Sequence, residues 1–234
     1  MPVPLWLALV VLLAVAVGLQ HLGLGRTSEA VSAFLTSSTV LFVPLITTVA
    51  LRRAPGPPLW LAAVVATVGI WLMTGATPTG FGLGEALGLG CAVVFAVYLV
   101  AINVVVPRDD PWRLVCGQFL VTGVLMSIVG VVFGREPLAH AEAGLLLANG
   151  ELWLELLLLL LLSTLLPFTL MTVYQPLTDP TRAALIYLVE PVIAAGYAYV
   201  ARGHELGRLE LLGVSLILVA NGLVELWGAR SRPQ

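Results

Sequence analysis

An all-α polytopic membrane protein is the fold class this sequence predicts, and three observations predict it. Hydrophobic residues make up 59% of the 234-residue chain against 10% charged, and mean hydropathy is +1.03. Both values lie outside the range of soluble globular domains. The apolar residues are gathered into runs long enough to cross a bilayer as helices, separated by Gly, Pro, Arg or acidic clusters.

Eight spans are expected, at 4–24, 30–51, 59–76, 84–106, 113–133, 152–174, 181–201 and 209–228. The first, MPVPLWLALVVLLAVAVGL, enters its apolar run at once, with no basic n-region and no small-residue cleavage motif. It reads as a membrane helix rather than a signal peptide, and Gln20 and His21 end it. The second carries the polar run Thr36-Ser37-Ser38-Thr39 and then Pro44, which is expected to bend it. Before the third, Arg52 and Arg53 mark a loop. The fourth opens on Gly80, Gly84 and Gly88, a spacing suited to close helix approach, and carries Tyr98 and Asn103 further on. Asp109, Asp110 and Arg113 form the turn into the fifth. The sixth, LWLELLLLLLLSTLLPFTLMTVY, is expected to kink at Pro167. The seventh holds Glu190-Pro191, and the eighth holds Asn221-Gly222. Connections are short except 134–150, so no soluble domain is hidden in the loops.

Charge and motifs exclude other classes. The chain has no lysine and a formal net charge of −2, which leaves no broad basic surface for nucleic acid. Cys91 and Cys116 fall inside apolar stretches and read as small hydrophobes rather than a disulfide or metal pair. No metal-ligand spacing, phosphate loop or nucleophile–base pairing is present in the sequence, so neither a cofactor nor enzymatic chemistry is expected.

Arginine placement suggests the orientation. With the N-terminus inside, Arg52, Arg53, Arg108, Arg113, Arg182, Arg230 and Arg232 are cytoplasmic, and Arg26, Arg135, Arg202 and Arg208 are outside. Eight spans then bring both termini to the cytoplasm. A shift of about 153 residues lays 26–38 over 179–191, pairing Ala30 with Ala183, Phe34 with Tyr187 and Gly69 with Gly222. Copies separated by an odd number of spans are inverted in the membrane, the arrangement of many secondary carriers. The copies are expected at 1–83, with three helices, and 84–234, with five, so the first is two helices short.

The segments 18–53, GFGLGEALGLGCAVVFAVYLV (80–100) and PTRAALIYLVEPVIAAGYAYVARGHELGRLELLGVSLILVANGLV (180–224) resemble the drug/metabolite transporter superfamily, specifically EamA-type permeases. In the last segment the resemblance rests on small residues entering the helix, the Glu-Pro pair, Glu205 in the next loop and a glycine-containing final helix. The resemblance implies ten helices in two inverted halves, of which this chain looks like helices three to ten. It further implies export or exchange of small organic metabolites or drug-like solutes by alternating access, in a bacterial inner membrane. The partners implied are a small-molecule solute, membrane lipid and, for a shortened form, another chain such as a second copy in a homodimer. The rival reading is a non-transporting membrane subunit or scaffold, because two helices of the plan are missing.

Glu190 is the first site candidate. At about 1.5 Å per residue it lies about 14 Å into its span, close to the midplane. A carboxylate there is costly unless it is protonated, paired or facing water. Because a desolvated carboxyl holds its proton more readily, Glu190 is also the proton-coupling candidate; the alternative is a hydrogen bond to a neighbouring helix that fixes packing. Pro191 removes a backbone hydrogen bond beside it. On a regular helix Tyr187, Glu190 and Tyr197 share one face. Ser37 matches Glu190 in the repeat, and its hydroxyl either faces solute or back-bonds to its own helix. Gln20, by resemblance, and Tyr98 and Asn103 complete the substrate-binding candidates. Pro44, Pro167 and Pro191 are the kink candidates.

Overall fold

A computed structural model describes residues 5–52, 54–75, 81–133, 149–202 and 207–230, and among these the chain is helical without strands. Arg53, Gly80, Arg135, Glu205 and Arg232, singled out above, lie outside the described residues. The helices are α1 (Leu5–Leu24), α2 (Glu29–Ser37), α3 (Thr39–Leu51), α4 (Pro57–Thr74), α5 (Leu83–Val105) and α6 (Pro111–Phe133). After them come α7 (Gly150–Leu158), a π-helical stretch (Leu159–Leu165), α8 (Leu166–Tyr174), α9 (Pro180–Tyr187), α10 (Val189–Arg202) and α11 (Arg208–Arg230). All eight expected spans are present as helix. Six, from Leu5–Leu24 to Gly150–Leu177, are long and apolar enough to cross a membrane by length and composition. The other two are the interrupted α9–α10 and α11.

Helix boundaries follow local chemistry. The Ser28 side chain accepts from the Val31 N–H to start α2, and the Asp179 carboxylate accepts from the Thr181 and Arg182 N–H groups to start α9. Pro57, Pro111 and Pro180 open their helices, where a missing N–H leaves no bond unmade. Gly75, at φ 59°, closes α4 in the left-handed region.

Lipid tails are as apolar as leucine, so helices in a bilayer associate through close packing rather than by escaping water. The most extensive contact is between α4 and α11, followed by α1 with α5 and with α6. A Cβ added at Gly69 would lie 2.8 Å from the Gly213 carbonyl oxygen, so the α4–α11 backbones nearly touch. Ala62, Ala66 and Ala220 are fully buried along the same seam. At the α1–α5 crossing a Cβ on Gly23 would lie 3.2 Å from the Gly84 carbonyl oxygen, while a Cβ on Gly84 would lie 2.8 Å from the carbonyl oxygen of Arg26 in the loop after α1, and one on Gly88 would lie 3.0 Å from Leu35 Cδ1 on α2. The close approach expected of Gly84 and Gly88 is therefore real. Cys91 and Cys116 are free thiols.

The irregularity expected at Pro167 takes a particular form. Proline cannot donate to the Ser163 carbonyl, and the preceding turns widen into the π-helical stretch, where the Leu166 N–H reaches back five residues to Leu161. Neither α7 nor this stretch contains a buried residue. Its leucines, 156 to 162, form an exposed apolar arm.

The two interrupted helices are built alike but in a different register from that expected. Their N-caps, Ser28 and Asp179, are 151 residues apart; their breaks, Ser38 and Leu188, are 150 apart; and the helices that follow start at Pro57 and Arg208, again 151 apart. At 151 the small buried Ala62 and Gly69 fall on Gly213 and Ala220, whereas the expected shift paired Gly69 with Gly222, which has open space around it. The Glu190 counterpart is accordingly Thr39 or Val40, not Ser37. Sparse identities among Ala, Leu and Gly could not fix the register; caps and breaks do.

Gly213→Ala is expected to destabilise the protein by about 1–3 kcal/mol through overpacking at the α4–α11 seam, whereas Gly222→Ala leaves it as stable as the parent. Thermal unfolding of the two variants in detergent is the check.

Candidate functional site

Both breaks face one cavity. At Ser38 the backbone (φ −62°, ψ −8°) leaves α-helical geometry, and its N–H bonds the Phe34 and Leu35 carbonyls while its hydroxyl donates to Phe34 O at 2.9 Å. Thr36 Oγ1 donates to Ser32 O, and Thr39 Oγ1 donates to Thr36 O and across to Ala92 O on α5. Hydroxyls thus complete the backbone bonding around this break. At Leu188 (φ −70°, ψ −4°) the cause is different: Pro191 has no N–H to give the Tyr187 carbonyl, and the Leu188 N–H turns to Leu185 O at 3.1 Å.

Between the breaks lies a cavity of about 310 Å³. Gln20 from α1, Ser37 and Thr39 at the first break, Phe95 and Leu99 from α5, and Tyr187, Glu190 and Pro191 at the second all line it. Glu190 is the one charged residue among its lining. The side chains of Gln20, Ser37 and Glu190 have no hydrogen-bond or ion-pair partner among the described residues. Back-bonding holds Thr36 and Ser38 but not the Ser37 hydroxyl between them. Three polar groups of different character, an amide, a hydroxyl and a carboxylate, therefore converge unpaired on one space. That is a set able to bind a small polar molecule.

Four of the six substrate-binding candidates, Gln20, Ser37, Tyr187 and Glu190, meet here. The remaining two do not. Tyr98 is 0% exposed: its hydroxyl donates to Gln118 Oε1, and Gln118 Nε2 donates to Thr172 Oγ1 at 3.2 Å. This chain ties α5 to α6 and α8 behind the cavity wall. Tyr98 touches the cavity only through Phe95, on which its ring stacks with centroids 5.6 Å apart. Asn103 lines a different cavity, at the far end of α5. Tyr197 is 65% exposed and lies away from the site. Glu190 and Tyr197 share a face of the regular α10, but seven residues carry Tyr197 about 10 Å further along the helix and out of the cavity, while the break at Leu188 resets the rotation of Tyr187 relative to both. Likewise α3 runs unbroken through the buried Pro44, and the discontinuity lies six residues earlier, at Ser38. His21 is exposed and bonds back to Val17 O.

Sequence reasoning missed Gln118, Thr172 and Gln175, all buried. A signal existed for Gln118, an amide in the middle of an apolar span, where polar side chains are rare and paired. Tyr98→Phe leaves the buried Gln118 oxygen without its donor and is expected to destabilise the protein by about 1–3 kcal/mol. A lowered thermal midpoint in detergent, with the cavity's Gln20, Ser37 and Glu190 untouched, is the outcome to look for.

A family model for the EamA-like transporter family matches residues 82–225. A solved structure described as "Crystal structure of protein" is similar with a TM-score of 0.82 at 19% identity, over 100% of this chain and 79% of that chain. At that identity the likeness speaks for the fold. No curated protein matches. The model match takes in more than half of the chain, including α5, both sides of the Leu188 break and most of α11, and the protein belongs to the EamA-like transporter family.

Proposed function

We propose that this protein moves a small organic solute across the bacterial cytoplasmic membrane by alternating access, with the cavity between the two helix breaks as the solute site and Glu190 as the proton-coupling group. The observation that carries this reading is the convergence of the unpaired Gln20, Ser37 and Glu190 side chains between Ser38 and Leu188. Family membership supports transport of small solutes. Interrupted helices meeting at the solute site are the usual architecture of secondary carriers, in which two inverted units rock about a fixed site. Glu190 is exposed at the edge of the cavity it lines, and a free carboxylate there can exchange a proton for a cationic or hydrogen-bonding solute. With no nucleotide-binding motif in the sequence, the driving force is an ion gradient or exchange.

One end of the bundle supports a cytoplasmic location for both termini. Arg113, at the start of α6, lies 5.6 Å from the Trp6 ring centroid at the start of α1. Leu51, Arg108 and Asp179 border one cavity, so the loops bearing Arg52, Arg108, Arg113 and Arg182 gather there, as positive charge does on the inner side.

Uptake of a metabolite panel by proteoliposomes, with and without an imposed pH gradient, tests the proposal. Glu190→Gln is expected to abolish the stimulation of uptake by the gradient. Ser37→Ala is expected to weaken solute affinity by roughly three- to tenfold, the value of one neutral hydrogen bond. Uptake and gradient dependence that survive unchanged in Glu190→Gln would remove that residue from the mechanism.

A further inference from the structure

A second cavity, of about 520 Å³, lies between the ends of α3 and α5 and the start of α9, bordered by Thr47, Asn103, Arg108 and Asp179. Three helices lead from the first cavity to the second, each along one stripe: Val40 and Thr47 on α3, Leu99 and Asn103 on α5, Ala184 and Pro180 on α9. Spacings of four and seven residues keep each pair on one helix face and advance it by about 6–11 Å.

What separates the cavities is a chain of hydrogen bonds. The Tyr187 hydroxyl donates to Gln175 Oε1 at 3.1 Å. Gln175 Nε2 donates to the Leu99 carbonyl at 2.6 Å and to Asn103 Oδ1 at 2.8 Å. Asn103 Nδ2 donates to the Thr178 carbonyl at 2.6 Å. Tyr187 lines the first cavity, Asn103 and Thr178 line the second, and Gln175, 4% exposed, stands between them.

We propose that the second cavity is the cytoplasmic vestibule of the solute path and that the Gln175 bridge is the barrier closing it. This rests on the transport reading above. The bridge joins α5, the turn Gln175–Leu177 and α9, the elements that must part for a solute to pass. Its contacts are polar, so water or solute can replace each partner when they part, which an apolar plug would not allow. The closed arrangement also leaves groups unpaid on the vestibule side: Thr47 Oγ1 and Thr181 Oγ1 are buried without a partner. Burying an unpaired hydroxyl is unfavourable, and admitting water relieves it. Closed and open forms are thereby brought nearer in free energy.

The test is thiol accessibility in the reconstituted full chain, with Cys91→Ala and Cys116→Ala as background. Ser37→Cys reports on the first cavity and Arg108→Cys on the second, and a membrane-impermeant maleimide is added to either face in turn. The two positions are expected to label from opposite faces. Adding Tyr187→Phe, which keeps the ring and removes one bond, should raise Ser37→Cys labelling from the Arg108 face roughly three- to tenfold, the shift one hydrogen bond gives a two-state equilibrium. Gln175→Ala should raise it further. Labelling of both positions from the same face in the background protein would overturn the proposal. So would unchanged labelling in Tyr187→Phe and Gln175→Ala that elute like the parent on size exclusion. A raised labelling rate without uptake of any solute would uphold the barrier and count against the transport reading, so the two failures are distinguishable.

Discussion

In a bilayer every backbone N–H and C=O must find a partner within the protein or in a protein-lined space, and the rest of this structure depends on how that constraint is met at two points. Unbroken helices satisfy it along most of the chain. At Ser38 the side-chain hydroxyls of Thr36, Ser38 and Thr39 take up carbonyls, and one of them reaches α5. At Leu188 the Tyr187 carbonyl loses the donor that Pro191 lacks, directly at the edge of the cavity. Both interruptions fall where a polar space exists to accommodate them. The cavity and the breaks are one feature, because a break facing lipid would leave its polar groups unpaired.

Packing holds that feature in place. The α4 and α11 backbones meet at Gly69 and Gly213, and α1 meets α5 near Gly84. Since each interrupted helix is followed directly by α4 or α11, the α4–α11 seam couples the two units that frame the cavity. Behind the α5 wall, the Tyr98–Gln118–Thr172 chain adds directional bonds where van der Waals contact alone would permit sliding.

The spans and their order were legible in the sequence because apolar runs of membrane length have few alternative explanations. Glu190 was legible for the same reason, since a midspan carboxylate stands out. Less legible was anything that depends on rotation about a helix axis. The shared face of Tyr187 and Tyr197 presupposed 100° per residue through a point where the helix is not regular, and the interruption of the second span lies at Ser38, ahead of Pro44. Tyr98 looked like a lining residue because a tyrosine in a greasy helix needs a partner, but sequence does not say whether that partner is solute or protein. Gln118 supplies it. Gln175 lay hidden beside Tyr174 at a span end, where polar residues are ordinary.

The Phe95–Tyr98 stack gives the cavity two walls of different stiffness. Phe95 is braced from behind by a ring that is itself hydrogen-bonded into two further helices, while the opposite wall, α9 and α10, is interrupted at Leu188 and held to α5 through Gln175. In the proposed transport cycle a solute would meet one surface braced against movement and one free to shift. In that cycle discrimination between solutes would fall to the braced surface and turnover to the shifting one. The two can be altered separately in evolution, so a change of cargo at the Phe95 side need not disturb the cycle that carries it.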